Sequence, residues 1–586
     1  MKAVMIMFDS LNRRFLQPYG NNEIMTPNFQ KLSEHTICFD QFYVGSMPCM
    51  PARREMHTGR YNFLHRGWGP LEPFDDSVPE ILKNAGVHSH LVTDHKHYWR
   101  DGGSTYHNRY RSYEFIRGQE GDSWIGQVDK PKLTELIGES QERRNRKLVS
   151  RTQDLINRQY MDTKSEHMMV RTVNKGLEFM EMNREADQWF LQIECFDPHE
   201  PYYVPQKYLD QLSVTESFDG WPDYYIKTET DQKTTLIQNY YKALLLMCDD
   251  YLGKILNRFD EYDLWKDTML IVCTDHGFLL GEHDWWGKSY MPVFNELANT
   301  PFFLWDPRLA RKNEHYQGIA QLIDIPATLL DYFRILKPKD MRGTSLSQVI
   351  KTKTQARELA LFGYFGCNVN LTDGRYVYMR SAQQRYGEGL FEYTLMPMRI
   401  NRRFSPAELK DMTLHTPFSF TKGCPVLKIT SQDFIAENMD RFGNRLYDLT
   451  VDPQQKNPLD NDVLEAHYAN LMRERLLEEE ADEEILNYYG LLKAVTPMSI
   501  RTEKETKKHR LNDVKLEIKF SDFATQEGFL SFMEWLPKDK HSATIDYFRK
   551  QGELTQTKLI QSIEEIVDSE YVPEVMYRVF LNMRID

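Results

Sequence analysis

Short apolar runs that end in a polar or charged residue alternate with helical segments over the first two-thirds of this chain. That alternation constrains the fold more than any other feature. The runs at 3–8, 90–93, 189–196, 269–274 and 302–305 read as strands, and 26–35, 78–85 and 242–259 carry helical spacing. Strands separated by helices predict βαβ units and an α/β fold: a large, mostly parallel sheet sandwiched by helices. Ligands of such sheets sit beyond the carboxyl ends of the strands. Polar residues directly after the strand runs are therefore the first candidates for chemistry.

The texture changes near residue 361, where short strand signals and turn residues take over, as in Asn370-Leu371-Thr372-Asp373-Gly374-Arg375 followed by 376–380. The reading predicts a catalytic α/β domain over 1–360 and a smaller β-containing subdomain over 361–460. A charged, mainly helical extension follows over 461–586. Within it, 461–492 is a charged helix pattern and 501–509 a basic, solvated stretch. The stretch 522–586 is helical and aromatic-rich (Phe529, Phe532, Trp535, Tyr547, Phe548). A homo-oligomer contact or a lid are two uses for this extension.

Composition excludes several classes. With 73 basic against 86 acidic residues the net charge is −13, which argues against broad nucleic-acid or anionic-membrane binding. Mean hydropathy is −0.60, and no uncharged apolar run approaches the roughly 20 residues a bilayer helix requires. The start, Met1-Lys2 followed at once by the 3–8 run, has no hydrophobic region with a cleavage site, so a cytoplasmic location is expected. Seven scattered cysteines without a CxxC pair fit neither a disulfide framework nor a zinc ribbon.

The most specific segment is Cys49-Met50-Pro51-Ala52-Arg53-Arg54-Glu55-Met56-His57-Thr58-Gly59-Arg60. Pro51 suits the first turn of a helix and Gly59 its end. Cys49 then stands at the helix mouth, where free N–H groups and the dipole favour an anion, with Arg53 one turn further on. The bare pattern also fits a capped surface helix with an incidental cysteine. At its full length it resembles the signature of the sulfatase family in the alkaline-phosphatase-like superfamily. That resemblance implies a cysteine oxidised to formylglycine, whose hydrate is the nucleophile. Ala52 stands where the family usually has serine, a departure that touches recognition by the formylglycine-generating (sulfatase-maturating) enzyme.

Further elements follow in family order. Asp9 ends the first strand run, where the family places a metal-binding carboxylate. Thr274-Asp275-His276-Gly277 resembles the second metal pair, and Lys288 the lysine that holds the substrate anion. Asp197-Pro198-His199-Glu200-Pro201-Tyr202 resembles the PHxPY element, with His199 as acid or anion ligand. Tyr447-Asp448-Leu449 with Asp452-Pro453 resembles the motif closing the C-terminal subdomain. Where the family has Lys-x-His after a strand, two registers fit, Asp94 with Lys96 or His95 with His97. Residues two apart share a face of extended chain, and an aspartate would repel an anionic ester, which favours His95 and His97. Trp99, Tyr106, His107, Tyr110, Arg117, Gln119, Asp122 and Trp124 either line a leaving-group pocket or form an ordinary insertion.

The resemblance implies one divalent metal, Ca2+ or Mn2+, held by Asp9, the modified Cys49, Asp275 and His276. It implies hydrolysis of a small anionic ester, a sulfated sugar or aryl sulfate, through a covalent sulfo-enzyme. Ser10 replaces a second aspartate that many sulfatases carry, and His276 replaces an asparagine. Both changes move the preference from calcium towards manganese and also resemble the phosphonate monoester hydrolase branch. Two alternatives stay open at this point: a phosphonate monoester or phosphodiester hydrolase using the same site, and a non-catalytic anion-binding protein.

Overall fold

Lys2–Phe8 is buried at every residue because it runs between two parallel partners, the environment that near-continuous apolar strands require. The computed structural model describes residues 1–129, 148–161, 167–222, 230–384, 389–431 and 442–512. In chain order, the strands that matter here are β1 (Lys2–Phe8), β2 (Ile37–Phe39), β3 (Ser46–Met47), β4 (His88–Thr93) and β5 (Ser112–Phe115). They continue as β6 (Trp189–Cys195), β7 (Thr268–Cys273), β8 (Phe303–Trp305) and β9 (Glu314–Tyr316). Apart from β3 these form one eight-stranded sheet in the order β9-β2-β8-β7-β1-β6-β4-β5. Every neighbouring pair is parallel except the two made by β8. The expected α/β fold is the one observed.

Helix α1 (Pro27–His35) packs on this sheet, helix α2 (Cys49–Thr58) packs beside β3, and helix α3 (Met168–Met182) and helix α4 (Asp231–Glu261) pack on the large sheet again. Leu244, Leu252, Leu256 and Phe259 of α4 share one apolar core with Val4, Ile6 and Phe8 of β1. Asp249, which interrupts the apolar stretch of α4, accepts the free N–H groups of Asn28 and Phe29 and so caps α1. The helix expected over 242–259 is longer than its periodicity showed, because its first turns are polar and are set by the Thr230 cap.

A second sheet is antiparallel along β10 (Ala360–Tyr364), β11 (Val369–Thr372), β12 (Tyr376–Arg380) and β13 (Arg445–Asp448). Its far edge is β3, parallel to β10, two residues before Cys49. The small sheet is thereby bonded to the approach to α2. Residues Met1–Thr496 form one compact unit and Pro497–Asp586 another. In the first unit the charged 461–492 pattern is two helices, Asp462–Glu478 and Glu483–Tyr488. In the second, the basic 501–509 stretch lies inside the helix Pro497–Asn512. The aromatic-rich 522–586 stretch lies outside the described residues.

Candidate active site

Four adjacent parallel strands, β7-β1-β6-β4, end side by side, and each hands its next residues to one buried pocket. Asp9 follows β1, Asp275 and His276 follow β7, Asp197 and His199 follow β6, and Asp94 and His95 follow β4. From the small-sheet side, α2 brings Cys49 as its first residue, as the Pro51 and Gly59 spacing predicts.

Asp9, Cys49, Asp275 and His276 offer ligand atoms that all lie within 4.8 Å of one another, every residue buried. Cys49 Sγ is 3.3 Å from His276 Nε2. His276 Nδ1 lies 2.9 Å from the Gly277 carbonyl, which fixes the proton on Nδ1 and leaves the Nε2 lone pair facing the cluster. Burial first, and Lys288 second, hold its pKa well below the ordinary value, so the ring is a neutral donor. Two carboxylates, an imidazole and a side chain at position 49 fit a divalent ion in charge and in donor type.

Arg53 holds the cage. Its Nη1 donates to Asp275 Oδ2 at 2.7 Å and to the Cys49 carbonyl at 2.9 Å, and its Nη2 donates to Asp9 Oδ2 at 2.8 Å. Its Nε donates to Glu194 Oε1 at 2.8 Å. Glu194 also accepts Tyr98 Oη at 2.8 Å and Gln192 Nε2 at 3.0 Å. With most of a guanidinium's five donors engaged, Arg53 aligns the two ligand carboxylates. Sequence reasoning missed Glu194. The signal was an acid inside the apolar run 189–196, since a buried charge needs a partner.

Ser10, at φ 63°, turns the chain so that its N–H reaches Asp275 Oδ1 at 3.1 Å and its hydroxyl reaches Asp9 Oδ1 at 2.8 Å. Lys288 Nζ donates to Ser10 Oγ at 3.0 Å and stands 3.7 Å from Asp9 Oδ1. Burial opposes ionisation of Asp9, but Lys288, His199, Arg53 and His95 together hold its pKa well below the ordinary value. Burial first, and then the Asp9 charge, push Asp275 up to about 7.

Of the two registers after β4, His95 faces the cage, with Nε2 3.5 Å from Asp9 Oδ2. The His97 N–H donates to His95 Nδ1 at 3.3 Å, which puts the His95 proton on Nε2. The His97 ring stands 5.0 Å from that of His95 and 5.3 Å from Trp68. Lys96 turns instead to the carbonyl and carboxylate of Glu120. His199 Nδ1 lies 2.5 Å from the Glu200 carbonyl and 3.0 Å from its carboxylate, so Nδ1 is a fixed donor. Tyr106 and Tyr110, candidates for a leaving-group pocket, are instead core residues, bonded to the Gly69 carbonyl and to Gln192 and packed on His57. Trp99 is partly exposed, stacked between His107 and Phe115.

The family model described as Sulfatase matches residues 2–335, more than half of the chain. The chain belongs to the sulfatase family. It is 23% identical over 383 residues to an arylsulfatase of Clostridium perfringens, across 60% of this chain and 78% of the relative. Among solved structures, a protein in complex with its substrate D-glucosamine-2-N,6-O-disulfate aligns with TM-score 0.55 at 14% identity, over 83% of this chain and 98% of that one. A phosphonate monoester hydrolase of Agrobacterium radiobacter aligns with TM-score 0.53 at 17% identity, over 82% and 95%. At these identities the solved structures show a shared fold, the alkaline-phosphatase-like one expected. By family, this sulfatase is a sulfuric ester hydrolase. No helix among its described residues is long and apolar enough to cross a membrane.

Proposed function

We propose that this sulfatase hydrolyses a sulfate ester with a formylglycine nucleophile derived from Cys49, through a covalent sulfo-enzyme. The observation that carries the reading is the buried cage of Asp9, Cys49, Asp275 and His276 at the mouth of α2. In the ion-free site burial, and then the Asp9 charge, push the Cys49 thiol well above the ordinary pKa, and a neutral thiol is a weak nucleophile. Oxidation to the aldehyde and hydration place two hydroxyls on one carbon, one to attack sulfur and one to restore the carbonyl.

A divalent ion in the cage supplies positive charge to an ester oxygen and lowers the pKa of the attacking hydroxyl. The remaining roles fall to side chains. Arg53 keeps Asp9 and Asp275 side by side. Lys288 presents its ammonium beside Ser10, where it offsets charge on the ester oxygens. His199, fixed through Nδ1, has Nε2 to carry a proton to the leaving oxygen, and the His95 Nε2–H is a second donor. His276 as the imidazole ligand favours manganese over calcium. Sulfated sugars and aryl sulfates are the proposed substrates, supported by the relatives above, and a formylglycine-generating enzyme is the proposed maturation partner.

Two experiments test this. Peptide mass spectrometry of protein from its native host should show Cys49 with its CH2–SH replaced by CHO; a fully intact thiol in that protein overturns the nucleophile, and with no turnover of an aryl sulfate or an aryl phosphonate monoester it favours a non-catalytic anion-binding role. Ser10 and His276 favour a second reading, the phosphonate monoester hydrolase. An aryl sulfate and an aryl phosphonate monoester compared by kcat/KM separate the two, and a large phosphonate preference overturns the first.

A further inference from the structure

Between the loops that carry His95 and His199 lies a buried polar unit without a role in the chemistry so far. Asp94 follows β4, Asp197 follows β6, and Gln119 comes from the segment after β5, all three almost fully buried. Gln119 Nε2 lies 3.1 Å from Asp94 Oδ2 and 2.9 Å from Asp197 Oδ2. An amide NH2 carries two hydrogens, so one group serves both carboxyls. The other oxygen of Asp94 accepts the Phe196 backbone N–H at 2.8 Å. The Phe196 ring then touches both imidazoles, 5.3 Å from His95 and 4.2 Å from His199.

The segment that presents Gln119 is held against its local preference. Glu120 sits at φ 47°, left-handed backbone that a residue with a side chain keeps where the surrounding structure over-determines it, and Gly118 makes the turn before it at φ 125°. Lys96 binds Glu120, and Asn157 Nδ2 donates to the carbonyls of Gly118 and Asp122. His167 Nδ1 is 3.8 Å from Asp197 Oδ2. Two buried carboxyls, one from each loop, meet at this single amide, so the bridge ties the loop after β4 to the loop after β6.

We propose that Gln119 is a positioning residue: by bridging Asp94 and Asp197 it fixes the loops after β4 and β6 so that His95 and His199 stand where the leaving oxygen is protonated. This rests on the reading of those histidines as proton donors given above. Gln119→Met, unbranched and similar in length, removes both N–H groups, and Gln119→Glu is the second variant should the first fail to accumulate. Protonation matters for a poor leaving group and little for 4-nitrophenolate. Relative to wild type, kcat for an alkyl sulfate should fall about 30-fold or more while kcat for 4-nitrophenyl sulfate falls less than about threefold, with KM nearly constant. Equal losses on both esters, or no loss, overturn the proposal. Ring NMR signals of labelled histidines need no turnover: those of His95 and His199 should shift while that of the remote His35 stays. Unmoved His95 and His199 signals overturn the proposal as well. If wild type hydrolyses neither ester, the proposed function fails, and the ring signals alone decide the role of Gln119.

Discussion

Asp9 and Asp275 share one guanidinium and are both fully buried. With no ion bound, Asp275 titrates at about 7 against an ordinary 3.8, because burial and then the Asp9 charge oppose its ionisation. Between those two values the folded chain holds a proton that the unfolded chain has lost. The contribution of Asp275 to ion-free stability therefore falls as pH rises through that window. A metal ion needs the carboxylate, so binding must expel the proton. Manganese titrations by calorimetry, run in buffers of different ionisation enthalpy, should show nearly one more proton released at about pH 6 than at about pH 8. Equal release at both values would mean that Asp275 is already ionised and that the cage is assembled differently. At this scale the residues directly after strand runs were legible, because strand ends in a parallel sheet point at the ligand. Glu194 and the Gln119 bridge were not, since which buried side chain meets which is decided by packing.

Helix α2 carries the nucleophile at one end and its termination device at the other. Gly59 stands at φ 62°, its N–H bonded to the Glu55 carbonyl at 2.7 Å. A Cβ there would lie 2.4 Å from Met341 Cγ and 3.2 Å from the Ile323 carbonyl. Gly59→Ala therefore combines left-handed backbone strain of about 1–2 kcal/mol with a contact that Met341 must move to relieve. A total near 2–3 kcal/mol follows, read as a lower urea midpoint at unchanged slope. The cage lies about 15 Å away along the helix, so metal affinity should stay within about twofold. A loss of metal affinity well beyond twofold would show that the helix carries the strain from Gly59 to the cage. The helix was legible from Pro51 and Gly59, and the strand runs from their apolar content. β3 was not, because a two-residue strand has no pattern of its own and exists only through its pairing with β10.

On the scale of the unit Met1–Thr496, the change of texture near residue 361 marks a second sheet, yet that sheet begins with a strand from before Cys49. The cage thus draws on β1 and β7 of the large sheet and on a helix tied to the small one. Among the described residues, Glu194, Asp9 and Asp275 meet Arg53 and Lys288 as their buried cations at contact distance, so a bound divalent ion offsets charge that the ion-free fold must carry. An ion that binds only the folded chain stabilises it by about 4 kcal/mol at a thousandfold excess over Kd. Chelation should accordingly lower Tm by several degrees, and added manganese should restore it in proportion to the logarithm of its concentration. Asp275→Asn, which keeps the shape and removes a charged ligand, should blunt that response. In chelator it should be no less stable than wild type, because it also removes a buried carboxylate that is costly without the ion. A Tm indifferent to chelator in wild type, or an equal response in the variant, would place the ion elsewhere.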